Sequence, residues 1–228
     1  MLAKMVVTLD VITGGWAILG VGAGWHQTEH EMIGLEFPPV GERMRLLEET
    51  SESFASLCAT NGRVDYDGTT VVFRGSLFEP KPARPSGIPV LVGGTGDRLR
   101  SIAARRADIY NGFWAPAQWE SINADLDERL RRVERTPEVL QRSVFVQTEL
   151  SSDQNVQDGF VAEVMETRGG SATDVRSGCL VGSVDAMVDV LGSYQAGGVD
   201  MAVLSIGPCT HPDDLERFAR DVMAKVTR

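Results

Sequence analysis

The sequence predicts an α/β protein built around a parallel β-sheet, and three observations support this. Five short, almost continuously apolar segments occur along the chain, as expected for strands that are covered on both faces. Segments with helical spacing of apolar residues separate them, and such alternation favours a parallel sheet. The chain has 228 residues, of which 43% are hydrophobic, enough for a substantial core. This order fits both a doubly wound open sheet and a barrel, so both architectures stay open at this point.

The first part of the chain contains one predicted strand, two helices and a hairpin. Apolar spacing predicts a helix over residues 2–12, which Gly14-Gly15 ends. The apolar segment 17–22 is the first predicted strand. A longer helix is expected over 41–60, followed by a hairpin over 61–79 that turns at an Asp-Gly pair.

The second part repeats strand and helix. The four remaining predicted strands are residues 88–92, 108–113, 143–149 and 199–206. Helices are expected to begin at Asp97, near Trp119, after an N-cap at Ser183 and at Pro212. Residues 151–178 are polar and rich in glycine and serine, so they are predicted as an insertion loop with a weak helix.

Composition and charge exclude several classes of protein. The net charge of −10 disfavours nucleic acids and anionic membranes as partners. No apolar run is long enough to span a bilayer. Cys58, Cys179 and Cys209 are scattered without a C-x-x-C pair, which fits a reducing cytosol and argues against a disulfide framework. We therefore expect a cytoplasmic protein with no membrane or nucleic-acid partner.

Several motifs together resemble those of the luciferase-like flavin and deazaflavin oxidoreductases. Residues 2–49 carry a lysine-bearing helix, TLDVITGG, a strand ending LGVGAGW, a glutamate, FP and R...LEE. Residues 66–114, 181–206 and 213–222 resemble later units of the same family. The resemblance covers nearly the whole chain except about 151–178. Two positions depart from the usual pattern: Trp16 stands where the family usually has arginine, and Thr13 where it usually has serine.

The resemblance implies a TIM-type (β/α)8 barrel, which needs eight strands and about 250 residues. The five predicted strands match strands four to eight of that barrel. We therefore expect one luciferase-like domain over residues 1–228, a partial barrel that lacks its first three βα units, about 90 residues by the same average. A fragment or a misplaced start is the favoured explanation. A genuine five-stranded protein would have two open sheet edges.

Two motifs near residue 25 point to chemistry that the surrounding sequence does not support. His26, Glu29 and His30 spell H-x-x-E-H, a pattern of some zinc peptidases. A zinc site needs a further ligand, and the only other histidine is His211, so no metal is expected. The glycines at 20, 22 and 24 lack the G-x-G-x-x-G spacing of dinucleotide-binding loops.

Two groups of glycines are the predicted cofactor site. The glycines at positions 20, 22 and 24 let a flat ring system approach the strand backbone closely. The turn before the helix at Asp97 is suited to an anion, and the resemblance implies that it contacts the cofactor's phosphate side chain. An ordinary βα turn is the alternative. The predicted cofactor-binding residues are Gly22, Gly24, Gly93, Gly94, Thr95, Gly96 and Asn111.

The predicted substrate side of the site is less specific. Trp25 and Trp114 are candidate substrate-binding residues, since both follow the ends of predicted strands. Glu29 is the candidate acid or base. Simple packing is the alternative for each tryptophan, and a surface or capping charge is the alternative for Glu29.

The resemblance implies an oxidoreductase that uses coenzyme F420, with FMN as the alternative. It would perform hydride transfer or monooxygenation on a small organic substrate, and the cofactor would supply the redox chemistry. Homodimers are common in the family and are expected here. A non-catalytic truncated barrel that serves as a subunit or fragment is the second hypothesis. An open-sheet ligand-binding protein is the third.

Overall fold

The computed structural model describes residues 1–207 and 211–226, so Cys209 lies outside the described residues. The chain divides into two compact units. The first unit comprises Met1–Tyr110 with Glu128–Leu140, and the second comprises Asn111–Asp127 with Gln141–Arg228. The single domain predicted for residues 1–228 stays a prediction.

The described residues contain one parallel sheet and one hairpin. In chain order the strands are β1 (Leu19–Val21), β2 (Arg63–Asp67), β3 (Val72–Leu77), β4 (Val90–Gly93), β5 (Ile109–Gly112), β6 (Gln141–Thr148) and β7 (Met201–Ile206). The antiparallel pair β2–β3 is the predicted hairpin. The other five form a sheet in the order β1-β4-β5-β6-β7, so β1 and β7 are its edges. All five predicted sheet strands are confirmed, with ends within about two residues.

In the first unit, β1 lies parallel to β4, with Leu19 opposite Val90 and Val21 opposite Val92. Both valines of β4 are buried, and the helix α4 (Asp97–Arg106) packs on this strand through residues such as Ile102. Alternate residues of a strand point to opposite faces. Leu91 and Gly93 are therefore on the other face of β4.

Three further helices belong to the first unit: α1 (Leu2–Thr13), α2 (Gln27–Met32) and α3 (Val40–Ala59). Gly14 ends α1 in the left-handed conformation, with φ +68°, as the Gly-Gly pair predicts. The sequence did not predict α2. It is only six residues long, and His26 caps it by accepting a hydrogen bond from the Glu29 N–H.

In the second unit, β6 and β7 are parallel. Their register pairs Ser143 with Met201 at one end and Thr148 with Ile206 at the other. The helix α5 (Trp119–Arg132) precedes β6 and spans the division between the units. Ser183 caps α8 (Val184–Ala196) by accepting a hydrogen bond from the Ala186 N–H, as predicted. The chain continues through α9 (Pro212–Phe218), a π-helical turn (Ala219–Met223) and α10 (Ala224–Val226).

The segment 151–178, predicted as an insertion loop with a weak helix, contains more helix than expected. The segment forms α6 (Gln154–Arg168) and α7 (Ala172–Gly178). Its few apolar residues are enough for a satellite core, because they pack together with the segment that follows α7. This core comprises Val161, Val164, Val175, Cys179 and Val181. Gly159 and the Gly169-Gly170 pair made the stretch resemble a loop, since glycine is a poor helix former.

No helix in the described ranges combines the length and apolar character needed to cross a membrane.

Candidate functional site

Gly22, a predicted cofactor-binding glycine that follows β1, lies beside the predicted phosphate-binding turn at the end of β4. Val21 is the register partner of Val92, so Gly22 and Gly93 occupy the next position on the two parallel strands. A Cβ atom added at Gly22 would lie 3.6 Å from the Gly93 carbonyl oxygen. The carboxyl ends of two neighbouring strands therefore present backbone without side chains. Ligands of parallel α/β proteins bind at such ends.

The turn from Gly93 to Gly96 is held by the protein's own donors. The Tyr110 hydroxyl donates to the Gly94 carbonyl at 2.9 Å, and Arg100 Nη1 donates to the Thr95 carbonyl at 2.6 Å. Gly94 has φ +136°, and a Cβ there would meet Leu99 Cδ1 at 2.8 Å. Glycine at position 94 is thus required by the turn itself, whether or not a ligand binds.

Gly96 is different, because nothing in the described part of the chain accounts for its missing side chain. Its φ is −66°, which any residue adopts, and a Cβ there would meet no atom within 4 Å. Gly96 is the N-cap of α4, and no side chain caps that helix. The first N–H groups of a helix have no partner within the helix and attract anions. The open space and these donors together fit a phosphate group.

The charges around this turn are partly neutralised. Asp97 opens α4, but its carboxylate forms ion pairs with Arg100 at 3.6 Å and with Arg129. Arg98 is exposed and forms no hydrogen bond or ion pair with the residues that the structure describes. The positive end of a ten-residue helix therefore lies at the open space, and Arg98 is the second residue of that helix. The Arg98 Nη1 itself lies on the side of Gly41, 3.8 Å from the position of a Cβ added there.

A pocket of about 670 Å³ lies next to the β1 end of this site, entirely within the first unit. Gly22 and Gly24 line it together with residues from α2, α3 and the chain between them. The wall is mainly apolar, through side chains such as Leu35, Pro38 and Leu47. Its ionisable side chains are His30, Glu36, Glu42 and Arg43. A volume of this size is typical of small-molecule sites.

Arg43 fixes the wall of this pocket by binding three backbone carbonyl groups. Its Nη1 donates to Ala23 at 2.7 Å and to Gly24, and its Nε donates to Pro38 at 2.9 Å. The guanidinium also lies over the Phe37 ring, 3.9 Å from the centroid. The planar donor fork of arginine suits this arrangement, which ties α3 to the turn after β1.

The two histidines of the H-x-x-E-H pattern have structural partners. His26 caps α2, and the His30 Nδ1 lies 3.0 Å from the His26 carbonyl oxygen. Because a carbonyl can only accept, His30 Nδ1 carries the proton. Within residues 1–207 and 211–226, no group of three or more His, Cys, Asp or Glu side chains is placed to hold a metal ion.

Trp25 and Glu29 are close to the pocket in sequence but do not line it. The Trp25 side chain is 85% exposed and contacts the His26 ring edge-on, with centroids 4.9 Å apart. Glu29 is exposed on α2. The substrate role of Trp25 and the acid–base role of Glu29 both stay predictions.

Asn111 and Trp114 belong to the second unit. Asn111 is buried, and its Nδ2 donates to the Ser143 hydroxyl at 2.7 Å. Trp114 is half-buried and lines a separate pocket of about 300 Å³ that also contains Phe113 and Phe145. The cofactor role of Asn111 and the substrate role of Trp114 stay predictions.

Sequence reasoning missed two residues of the larger pocket, His30 and Arg43. The H-x-x-E-H pattern pointed to His30 only as a possible zinc ligand. The available signal was its spacing of four from His26, which places a ring nitrogen near the preceding carbonyl once a helix forms. Arg43 is the arginine of the R...LEE motif, but the motif does not indicate its three carbonyl partners, because these are scattered along the chain.

Known proteins of one family resemble this chain in sequence. The family model described as "Luciferase-like monooxygenase" matches residues 1–166. The F420-dependent glucose-6-phosphate dehydrogenase of Microbacterium testaceum is 30% identical over 138 residues, 59% of this chain and 40% of that protein. The FMNH(2)-dependent dimethylsulfone monooxygenase of Pseudomonas putida is 29% identical over 126 residues, 55% of this chain and 34% of that protein. The matches thus span less than half the length of these curated relatives.

A solved structure shares the fold over almost the whole chain. It is an F420-dependent secondary alcohol dehydrogenase in complex with an F420-acetone adduct. The TM-score is 0.82 at 15% sequence identity, over 98% of this chain and 74% of the other. This likeness confirms the predicted fold class, an α/β fold that corresponds to part of a TIM-type barrel.

Proposed function

Because this chain belongs to the luciferase-like monooxygenase family, we propose that it forms the cofactor-binding part of an oxidoreductase that acts on a small organic molecule. Relatives that depend on F420 and relatives that depend on FMNH(2) both match the chain. We propose coenzyme F420 as the cofactor, with FMN as the alternative. Either cofactor supplies the redox chemistry when it is bound, as hydride transfer or as monooxygenation.

The observation that carries this proposal is the open space at Gly96, beside the paired strand ends at Gly22 and Gly93. Both cofactors carry a phosphate and a flat ring system. The turn 93–96 and the first N–H groups of α4 would hold the phosphate, with Arg98 as an added cation. The backbone at Gly22 would lie against the ring system, because no side chain separates them.

The remaining residues of the site position this backbone. The hydrogen bond from Tyr110 and the glycine at 94 fix the turn before α4. Arg43 fixes the turn after β1 through the Ala23 and Gly24 carbonyl groups. A preformed site costs less conformational entropy on binding than one that must be ordered. The non-catalytic alternative is not favoured, since the relatives quoted above are named as enzymes.

A charge-reversal experiment at Gly96 tests the proposal. The chain is titrated with F420 and, separately, with FMN, and binding is followed by fluorescence. We expect saturable binding of one cofactor and a loss of at least about tenfold, or ~1.4 kcal/mol, in Gly96→Glu. The added carboxylate would fill the open space and repel the phosphate. Substitution at Gly96 is preferable to Gly94, where the added Cβ would disturb Leu99.

Gly159→Glu is the matched control. Gly159 is also exposed and has no atom within 4 Å of an added Cβ, so the substitution brings the same charge to a helix of the second unit. Its affinity for the cofactor should equal that of the unmodified chain. Equal losses in both variants, or no effect of Gly96→Glu on measurable binding, would contradict the proposed phosphate position.

A further inference from the structure

His30 gives the apolar pocket of the first unit one well-defined polar group. Its ring lies edge-on to Phe37, with centroids 4.8 Å apart, and is half-buried. Its Nδ1–H is committed to the His26 carbonyl, so the neutral ring carries its lone pair on Nε2. Among the residues that the structure describes, Nε2 has no hydrogen-bond partner. The side chain lines the pocket, where this acceptor is available to a ligand.

The other polar groups of the pocket disfavour an anionic ligand. The Arg43 guanidinium is already bound to three carbonyl groups. Glu36 and Glu42 line the wall and form no ion pair within the described residues. The Arg43 guanidinium keeps its positive charge when it binds carbonyl groups, but the two carboxylates outnumber it, so the wall carries a net negative charge that disfavours an anion. The apolar remainder of the wall favours an apolar body.

We propose that this pocket is a subsite for an uncharged, mainly apolar molecule that carries one hydroxyl or N–H donor, and that His30 Nε2 accepts the hydrogen bond from that donor. The inference rests on the proposed function, because Gly22 and Gly24 line the pocket and would place the ligand beside the cofactor ring. It goes further by naming the class of substrate and the residue that selects it.

Three naphthalene compounds test the ligand class in the absence of any cofactor. 2-Naphthol has a donor, 2-methoxynaphthalene has none, and 2-naphthoate is an anion of similar size. We expect 2-naphthol to bind about fivefold or more tightly than 2-methoxynaphthalene, as one net hydrogen bond provides. 2-Naphthoate should bind most weakly. Equal affinity for the naphthol and the ether, or the tightest binding for the naphthoate, would overturn the proposal.

Substitution of His30 tests the residue. His30→Phe keeps an aromatic ring beside Phe37 but has no acceptor. We expect this variant to bind 2-naphthol no more tightly than 2-methoxynaphthalene, and to bind 2-methoxynaphthalene as tightly as the unmodified chain does. His30→Gln keeps an acceptor and should retain part of the preference. Thr28→Ala is the matched control on the same helix, because Thr28 is exposed and outside the pocket wall. A preference for the naphthol that survives in His30→Phe would contradict the assignment.

The experiments distinguish a failure of the subsite proposal from a failure of the cofactor proposal. Selective naphthol binding with no binding of F420 or FMN would keep the subsite and reject the cofactor site. Cofactor binding without any selection among the three probes would do the reverse.

Discussion

Glu49 anchors the turn of the hairpin to α3 through a cluster of hydrogen bonds. Its carboxylate accepts from the N–H groups of Thr69, Thr70 and Val71 at 2.7–2.9 Å and from the Thr70 hydroxyl at 2.6 Å. An added Cβ at Gly68 would approach Glu49 Oε2 to 2.5 Å, so the Asp-Gly turn needs its glycine for this contact.

The Glu49 contacts predict a pH-dependent contribution to stability. Burial acts to raise its pKa, but the hydrogen bonds from Thr70, Thr69 and Val71 outweigh it and lower the pKa from 4.5 to about 2. A carboxyl group with a lowered pKa stabilises the folded state at pH values above its unfolded pKa. This contribution is therefore complete above about pH 5 and is lost as the pH falls through about 2.

Glu49→Gln should lower the free energy of unfolding by about 1–2 kcal/mol near neutral pH, since charge-assisted hydrogen bonds are lost at a half-exposed site. Urea unfolding at several pH values measures the difference, which should shrink below about pH 4.5. Glu163→Gln is the control, because Glu163 is exposed on α6 and its side chain forms no hydrogen bond or ion pair in the described chain. A constant difference at all pH values would contradict the role of ionisation.

The positions of single residues were predicted well where local backbone geometry determines the residue type. They were predicted poorly where contacts with residues distant in sequence determine its role. The sequence indicated the turn at Gly93–Gly96, because glycine before a helix marks such turns. The sequence did not distinguish Gly94 from Gly96. The conformation of the turn requires glycine at position 94 but not at position 96. That distinction depends on φ and on Leu99. The free acceptor at His30 Nε2 could not be predicted, because the sequence does not show which ring nitrogen binds a carbonyl group.

The turn after β1 is tied to α3 by Arg43, and this predicts how the two elements respond to substitution. Arg43→Lys keeps the charge but cannot reach three carbonyl groups at once or lie flat over Phe37. We expect a loss of about 1–2 kcal/mol in unfolding free energy and faster amide exchange in the chain between β1 and α2. Arg45→Lys is the matched control two residues along the same helix, because Arg45 is exposed and forms no ion pair within the described residues. Equal effects of the two changes would contradict the clamp.

Elements were predicted best where the hydrophobic period is strong. The five sheet strands are confirmed because continuous apolar runs bounded by turns leave few alternatives. Only a weak helix was predicted over residues 151–178, where α6 and α7 form, because their apolar residues pack only into a small satellite core. Their caps were visible: Asp153 and Ser171 each accept hydrogen bonds from the first turn of the helix that follows. α2 was missed because six residues show no period.

At the scale of the whole molecule, α1 presents an apolar stripe that predicts self-association. Leu2, Met5, Leu9 and Ile12 follow a three-four spacing and are 45–77% exposed. Exposed apolar stripes of this kind mark contact surfaces. We expect the chain to sediment above its monomer mass, in line with the predicted homodimer. Ile12→Lys should shift it to the monomer, whereas Val156→Lys, at an exposed position of α6, should not. A monomer in every case would contradict this prediction.

The most direct test of the cofactor site is amide hydrogen exchange of the whole chain with and without F420, repeated with FMN. If the N–H groups before and within the first turn of α4 bind the phosphate, one cofactor should slow exchange in residues 93–100 and in residues 20–25. Exchange in β2, β3 and α6 should not change, since these elements lie outside the proposed site. Protection confined to other segments, or no protection at saturating concentrations of either cofactor, would contradict the account.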